Sequence, residues 1–205
     1  MKILHKTTNL EIKRCFVVGK LCAGRTHKGH MKKVESTAHF LHRVAGVRAK
    51  VLHMKEKELD KIIGGEYQKR LDAYDAYSWH LVEFSPLELG VWTRAGEMPL
   101  RWTNRSLMET AVTVKRALGR KHGFKKRNIR AAHAIPGILR TSVGVVQGEK
   151  YLLPITFKCD TGTRGRARLK RKMKADIDDG CMRSVALAVN GAEKILAYYG
   201  TPSPK

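Results

Sequence analysis

The chain has 205 residues, of which 42% are hydrophobic, and carries a formal net charge of +23 at pH 7. That hydrophobic share supports a buried core and excludes a disordered basic tail; the length suits one sizeable domain. No apolar run reaches membrane-spanning length, and the opening MKILHKTTNLEIK lacks the apolar stretch of a secretory signal. The expectation is an intracellular protein with no membrane partner, whose thiols Cys15, Cys22, Cys159 and Cys181 stay reduced.

In chain order, RCFVVGKL (Arg14 to Leu21) has the β-branched and aromatic content of a strand. From Met31, apolar residues at Val34, Ala38, Leu41 and Ala45 step by three and four, one stripe of an amphipathic helix that Gly46 would stop. VRAKVLHM (Val47 to Met54) alternates like a strand. Lys55 to Ile63 reads as a short helix ended by Gly64-Gly65, and Tyr67, Leu71 and Tyr74 mark another. WHLVEF is a strand that Pro86 ends. The Pro-, Gly- and Trp-rich stretch 85–103 reads as an ordered loop, and a subdivision of the single domain 1–205 would fall there.

Asn104 is placed to cap a helix whose stripe is Leu107, Ala111, Val114 and Leu118 and which ends at Gly119. TSVGVVQGEKYLLPITFK has the pattern of a hairpin turning near Gln147-Gly148, with Pro154 at an edge or bulge. Ile177, Cys181, Val185, Ala188, Ala192, Ile195 and Tyr199 suggest a long C-terminal helix ended by Gly200 and Pro202. The predicted class is α+β, a small mixed or antiparallel sheet with amphipathic helices and basic loops.

The positive charge is concentrated. Residues 1–54 hold 12 Lys/Arg against 2 Asp/Glu, and the stretch RGRARLKRKMK holds seven Lys/Arg and no acid. Guanidinium groups bind phosphate oxygens through a fixed fork of donors, and release of counterions makes each contact favourable. Three clusters are therefore candidates for nucleic-acid contact. The first is Arg25, Lys28, Lys32 and Lys33. The second is Arg116, Arg120, Lys121, Lys125, Lys126, Arg127 and Arg130. The third is Arg164, Arg166, Arg168, Lys170, Arg171, Lys172 and Lys174. His122 and Phe124 sit within the second cluster and could stack on bases; Trp92 and Trp102 read as packing residues.

The third cluster abuts ADIDD, with Asp176, Asp178 and Asp179. The economical reading is a helix start, since carboxylates there cap free N–H groups and complement the helix dipole. The chemical alternative is a Mg²⁺ site, in which Asp176, Asp178 and Asp179 would be catalytic and the basic stretch would hold a phosphodiester strand. Over some 25 residues, basic stretch, D-x-D-D and apolar stripe together resemble the phage-type Holliday-junction resolvases of the RusA family. That resemblance implies a metal-dependent nuclease.

Cys15, Cys22, His27, His30, His39 and His42 crowd the first quarter, but their spacing fits no closed zinc module, so zinc is not expected there. No phosphate-cradling glycine loop, dinucleotide fingerprint or nucleophile elbow is present. The reading that follows is a protein that contacts DNA or RNA backbone, without enzymatic activity or cofactor, inside a nucleoprotein or viral assembly. Two alternatives stand beside it: the Mg²⁺-dependent nuclease, and a structural component whose basic faces meet acidic proteins.

Overall fold

A computed structural model describes residues 1–23, 37–63, 67–120, 129–140, 148–162 and 173–204. Among these residues the chain forms seven helices and one seven-stranded mixed sheet, an α+β fold. In chain order the elements are β1 (Lys2–Thr7), α1 (Asn9–Ala23), α2 (Thr37–Leu52), α3 (Glu56–Ile63), α4 (Gln68–Tyr74), β2 (Tyr77–Phe84), β3 (Leu89–Val91), β4 (Arg105–Ser106), α5 (Leu107–Leu118), α6 (Ile129–Arg140), β5 (Ile155–Lys158), β6 (Ala175–Asp179), α7 (Cys181–Val189) and β7 (Ile195–Pro202).

The strand order is β1-β2-β7-β5-β6-β3-β4. The pairs β5/β7 and β3/β6 are parallel, and the others are antiparallel. Alternation along the strands separates two cores. On β2 and β7, Val82, Phe84, Ile195, Ala197 and Tyr199 face α5, α6 and α7. Trp79, Leu81, Leu196 and Tyr198 face the opposite side, where α1 to α4 pack. The backbone comes close to a side chain at Gly200, the register partner of Trp79: a Cβ there would lie 2.9 Å from the indole ring.

Several expectations are corrected. RCFVVGKL is helical, not a strand. The Thr8 hydroxyl accepts the Glu11 N–H at 3.2 Å and starts α1. Ile12, Cys15, Phe16, Val17, Val18 and Cys22 are all buried, so α1 is covered on nearly every side by the sheet and its neighbouring helices. A helix covered all round shows no stripe, and its run of apolar β-branched residues looks like a strand.

The expected break at Gly46 is absent, because α2 runs through it to Leu52 and includes the segment read as a strand. Its inward stripe is Phe40, Val44, Val47 and Val51, one position off the stripe read from sequence; Leu41 faces outward. Ser106, not Asn104, caps α5. Its hydroxyl accepts the Glu109 N–H at 3.2 Å while the Glu109 carboxylate accepts the Ser106 N–H at 3.1 Å.

The hairpin expected over Thr141–Lys158 does not form as read. Residues 141–147 lie outside the described residues, Lys150–Leu152 is a 3-10 turn, and β5 pairs with β6 and β7. There is also no long C-terminal helix. Gly180 breaks the stripe at one end and Gly191 at the other, both at positive φ, leaving a nine-residue helix between two strands. Ile177 and Ile195 belong to those strands and reach the same core as the helix because the sheet alternates.

Buried charge also joins the helices. The ammonium of Lys13 on α1, 1% exposed, donates to Glu56 on α3 and, at 2.9 Å, to Asp75 after α4.

Candidate functional site

β6 consists of the ADIDD segment itself, so Asp176, Asp178 and Asp179 do not start a helix. The N-cap of α7 is Gly180, with no side-chain cap bond. On a strand, Asp176 and Asp178 share the face opposite Ala175 and Ile177. Pairing with β5 shifts between Ile155↔Asp179 and Thr156↔Ile177, so Asp178 is the extra residue of a bulge. The bulge lets both Asp178 and Asp179 reach cations on the α1–α4 side.

Asp178 is fully paired. Its Oδ2 accepts from Arg70 Nη2 on α4 at 2.5 Å and from the Tyr74 hydroxyl at 2.8 Å. Arg70 also donates to the Asp178 carbonyl at 3.0 Å. Asp179 accepts from Lys20 Nζ on α1 at 2.5 Å and from Arg183 Nη2 on α7 at 3.2 Å. Burial pushes the Asp179 carboxyl upward, but Lys20, Arg183 and Arg70 outweigh it and hold the group below the ordinary carboxylate range. Burial raises the Tyr74 hydroxyl well above its usual value, with the Asp178 charge adding to it. The Phe16 ring lies under both cations, 4.9 Å from Lys20 and 4.7 Å from the Arg70 guanidinium. This network joins α1, α4, β6 and α7.

Asp176 is in a different environment. Its Oδ2 accepts the Asp160 backbone N–H at 3.1 Å, and its Oδ1 is buried without a hydrogen-bond partner. Among the described residues, one group of three His, Cys, Asp or Glu could hold a metal ion. It is Cys159, Asp160 and Asp176, whose ligand atoms lie within 4.8 Å of one another. Burial raises the Asp176 carboxyl, and the Asp160 N–H works against that rise. Burial, with Asp176 and Asp160, pushes the Cys159 thiol up to about 11. The three aspartates thus divide between a metal-capable group and an ion-pair network.

Of the basic residues singled out from sequence, Arg25, Lys28, Lys32, Lys33, Lys121, Lys125, Lys126, Arg127, Arg164, Arg166, Arg168, Lys170, Arg171 and Lys172 lie outside the described residues, as do His122 and Phe124. Arg116 and Arg120 lie at the C-terminal end of α5 and are exposed, as is Lys115 beside them. Arg130, on the first turn of α6, faces Glu97 at 3.7 Å. Lys174 pairs with Glu88 at 2.5 Å just before β6. Trp102 is buried and Trp92 packs against the same core. Cys15 and Cys22 are buried, whereas His39 and His42 are exposed on α2, and His27 and His30 lie outside the described residues.

Sequence reading missed Cys159 and Asp160 as neighbours of Asp176 in the metal-capable group, and Lys20, Arg70, Tyr74 and Arg183 as partners of the acids. No local spacing marks them: Asp160 meets Asp176 across 16 residues and Arg70 meets Asp178 across 108.

No family model, curated protein or solved structure matches this chain. No helix among the described residues is long and apolar enough to cross a membrane. The resemblance of the ADIDD region to junction resolvases therefore rests on that stretch alone, where two of the three acids are taken up by Lys20, Arg70 and Arg183.

Proposed function

We propose that this protein binds the phosphate backbone of a nucleic acid, with the C-terminal end of α5 as one contact surface. The observation that carries this reading is the exposed trio Lys115, Arg116 and Arg120, which has no ion-pair partner among the described residues and leads directly into Lys121–Arg127. Seven acids among the described residues are occupied elsewhere. Glu11, Glu56, Asp75, Glu83, Glu88, Asp178 and Asp179 all pair with cations of the chain. A net charge of +23 then has to be met from outside, and a polyanion meets it at the gain of released counterions. Contacts of this kind fix position and carry no base information, so the expected binding is weakly sequence-dependent.

The test is a salt series with matched single- and double-stranded DNA and RNA. Each neutralised phosphate contributes a log–log slope of about 0.9 on duplex and about 0.7 on single strands. Reversing Lys115, Arg116 and Arg120 together to Glu is expected to flatten the slope by about 2 to 3. Reversing Lys57, Lys61 and Lys69, exposed on α3 and α4, changes net charge equally and is expected to alter it less. Equal effects of the two triples, with equal and weak binding to heparin and to all four nucleic acids, would point instead to a structural component of an assembly. Mg²⁺-dependent cleavage in the preferred form would restore the nuclease reading.

A further inference from the structure

Cys159, Asp160 and Asp176 are not used by the proposed contact surface. Cys159 and Asp160 leave the end of β5, and Asp176 lies on the facing strand β6. The turn is closed by the Thr161 N–H on the Lys158 carbonyl at 3.0 Å and the Cys159 N–H on the Lys174 carbonyl at 3.3 Å. Asp160 takes a left-handed backbone, φ 64°, which directs its N–H onto Asp176 Oδ2. The second oxygen, Oδ1, is closed off from water and meets no nitrogen or oxygen donor, and the Cys159 thiol neighbours the Asp176 carboxylate. A carboxylate oxygen shut away from water costs free energy unless a donor or a cation meets it. Lys174, the nearest cation in sequence, is engaged with Glu88.

We infer that Cys159, Asp160 and Asp176 bind a single thiophilic divalent cation of the zinc class. A thiolate with two carboxylates suits zinc, whereas Mg²⁺ takes an octahedral shell of oxygens and disfavours sulfur. Three protein ligands leave one tetrahedral position for water or another oxygen donor. With bond lengths of about 2.3 Å to sulfur and about 2.0–2.2 Å to oxygen, ligand atoms on one ion lie roughly 3.3–3.8 Å apart. The ligand atoms lie within 4.8 Å of one another, a spread that modest side-chain rotation closes, and the Asp160 side chain is exposed. On binding, the Cys159 S–H bond is replaced by a sulfur–metal bond, its proton passes to solvent, and both carboxylates bind as anions. The ion closes the base of the β5–β6 connection, which carries Arg164–Lys172. This inference does not depend on nucleic-acid binding.

The full-length protein is stripped with chelator, incubated with zinc alone, desalted and assayed for metal per chain. About one zinc per chain is expected. Cys159→Ser, Asp160→Asn and Asp176→Asn are each expected to weaken binding by more than about tenfold, because loss of a second-sphere partner alone costs about 10- to 100-fold. Excess Mg²⁺ is not expected to displace the zinc. Cobalt(II) in its place is expected to show a sulfur-to-cobalt charge-transfer band that Cys159→Ser abolishes. Should Asp176→Asn fail to fold, Asp160→Asn at its exposed position carries the test. Absence of retained zinc, equal retention by wild type and Cys159→Ser, or displacement by equimolar Mg²⁺ would each overturn the assignment.

Discussion

The Arg70 guanidinium on α4 meets the Asp178 carboxylate on β6 at 2.5 Å, where the Asp178 side chain is 1% exposed. The pair joins the helical layer to the middle of the sheet. Removing one partner of such a buried pair leaves an uncompensated charge, which costs about 3–5 kcal/mol, whereas an exposed pair contributes at most about 1 kcal/mol. Arg70→Met is therefore expected to lower unfolding free energy in urea by about 3 kcal/mol or more. The double variant Arg70→Met, Asp178→Leu is expected to be more stable than Arg70→Met alone. A loss below about 1 kcal/mol in the single variant would show that Asp178 is not desolvated.

Acid is expected to weaken the fold through Glu88 and Asp179. Burial pushes Glu88 up, but Lys174, the terminal ammonium of Met1 and the Ser85 N–H bring it down to about 2. A carboxylate whose folded pKa lies below its unfolded value, about 4.3 for Glu, adds stability that is complete above that value and is lost as pH falls through the folded one. The Glu88 contribution thus disappears between about pH 4.3 and about 2. That of Asp179 is lost over the same direction of change, since its carboxyl is also lowered. Thermal melts from pH 6 to pH 2 are expected to show a falling Tm, with a shallower fall in Glu88→Gln. Identical pH profiles for the two proteins would remove Glu88 from the account.

Ser106 starts α5 through a reciprocal pair of bonds with Glu109. Ser106→Ala removes the acceptor for the Glu109 N–H at a buried helix end and is expected to cost about 1 kcal/mol, within about 0.5–2. Asn104→Ala, at the position that sequence pattern favours, removes no cap bond to α5 but puts alanine at φ 60°, a left-handed backbone that asparagine tolerates better. Chemical denaturation of the two variants separates the roles, and a Ser106→Ala loss near zero would exclude the capping box.

Much of the local structure is legible in the chain. Glu56–Ile63, Gln68–Tyr74, Tyr77–Phe84 and Leu107–Leu118 all form where periodicity and Gly or Pro punctuation place them, although the cap of the last is Ser106 and not the expected Asn104. The three helices each have one face against a core and one toward solvent, and Tyr77–Phe84 alternates between the two cores, so each period survives in the sequence. α1 and the last third of the chain do not follow that pattern. α1 is buried all round, and residues 177–199 place strand, helix and strand against one core, so alternation and helical period merge into one apparent stripe.

The candidate sites divide in the same way. Composition and spacing alone establish the excess of Lys and Arg, the free thiols, the α+β class and the Asp-rich ADIDD segment as a place of concentrated charge. Which carboxylate meets which partner was decided only by tertiary structure. A one-residue bulge on β6 and the packing of α1, α4 and α7 turn Asp178 and Asp179 toward Arg70, Lys20 and Arg183, and a turn after β5 brings Cys159 and Asp160 to Asp176. Charge is a property of the residue and is read directly. Pairing depends on distances across the fold, which only the packed sheet and helices set.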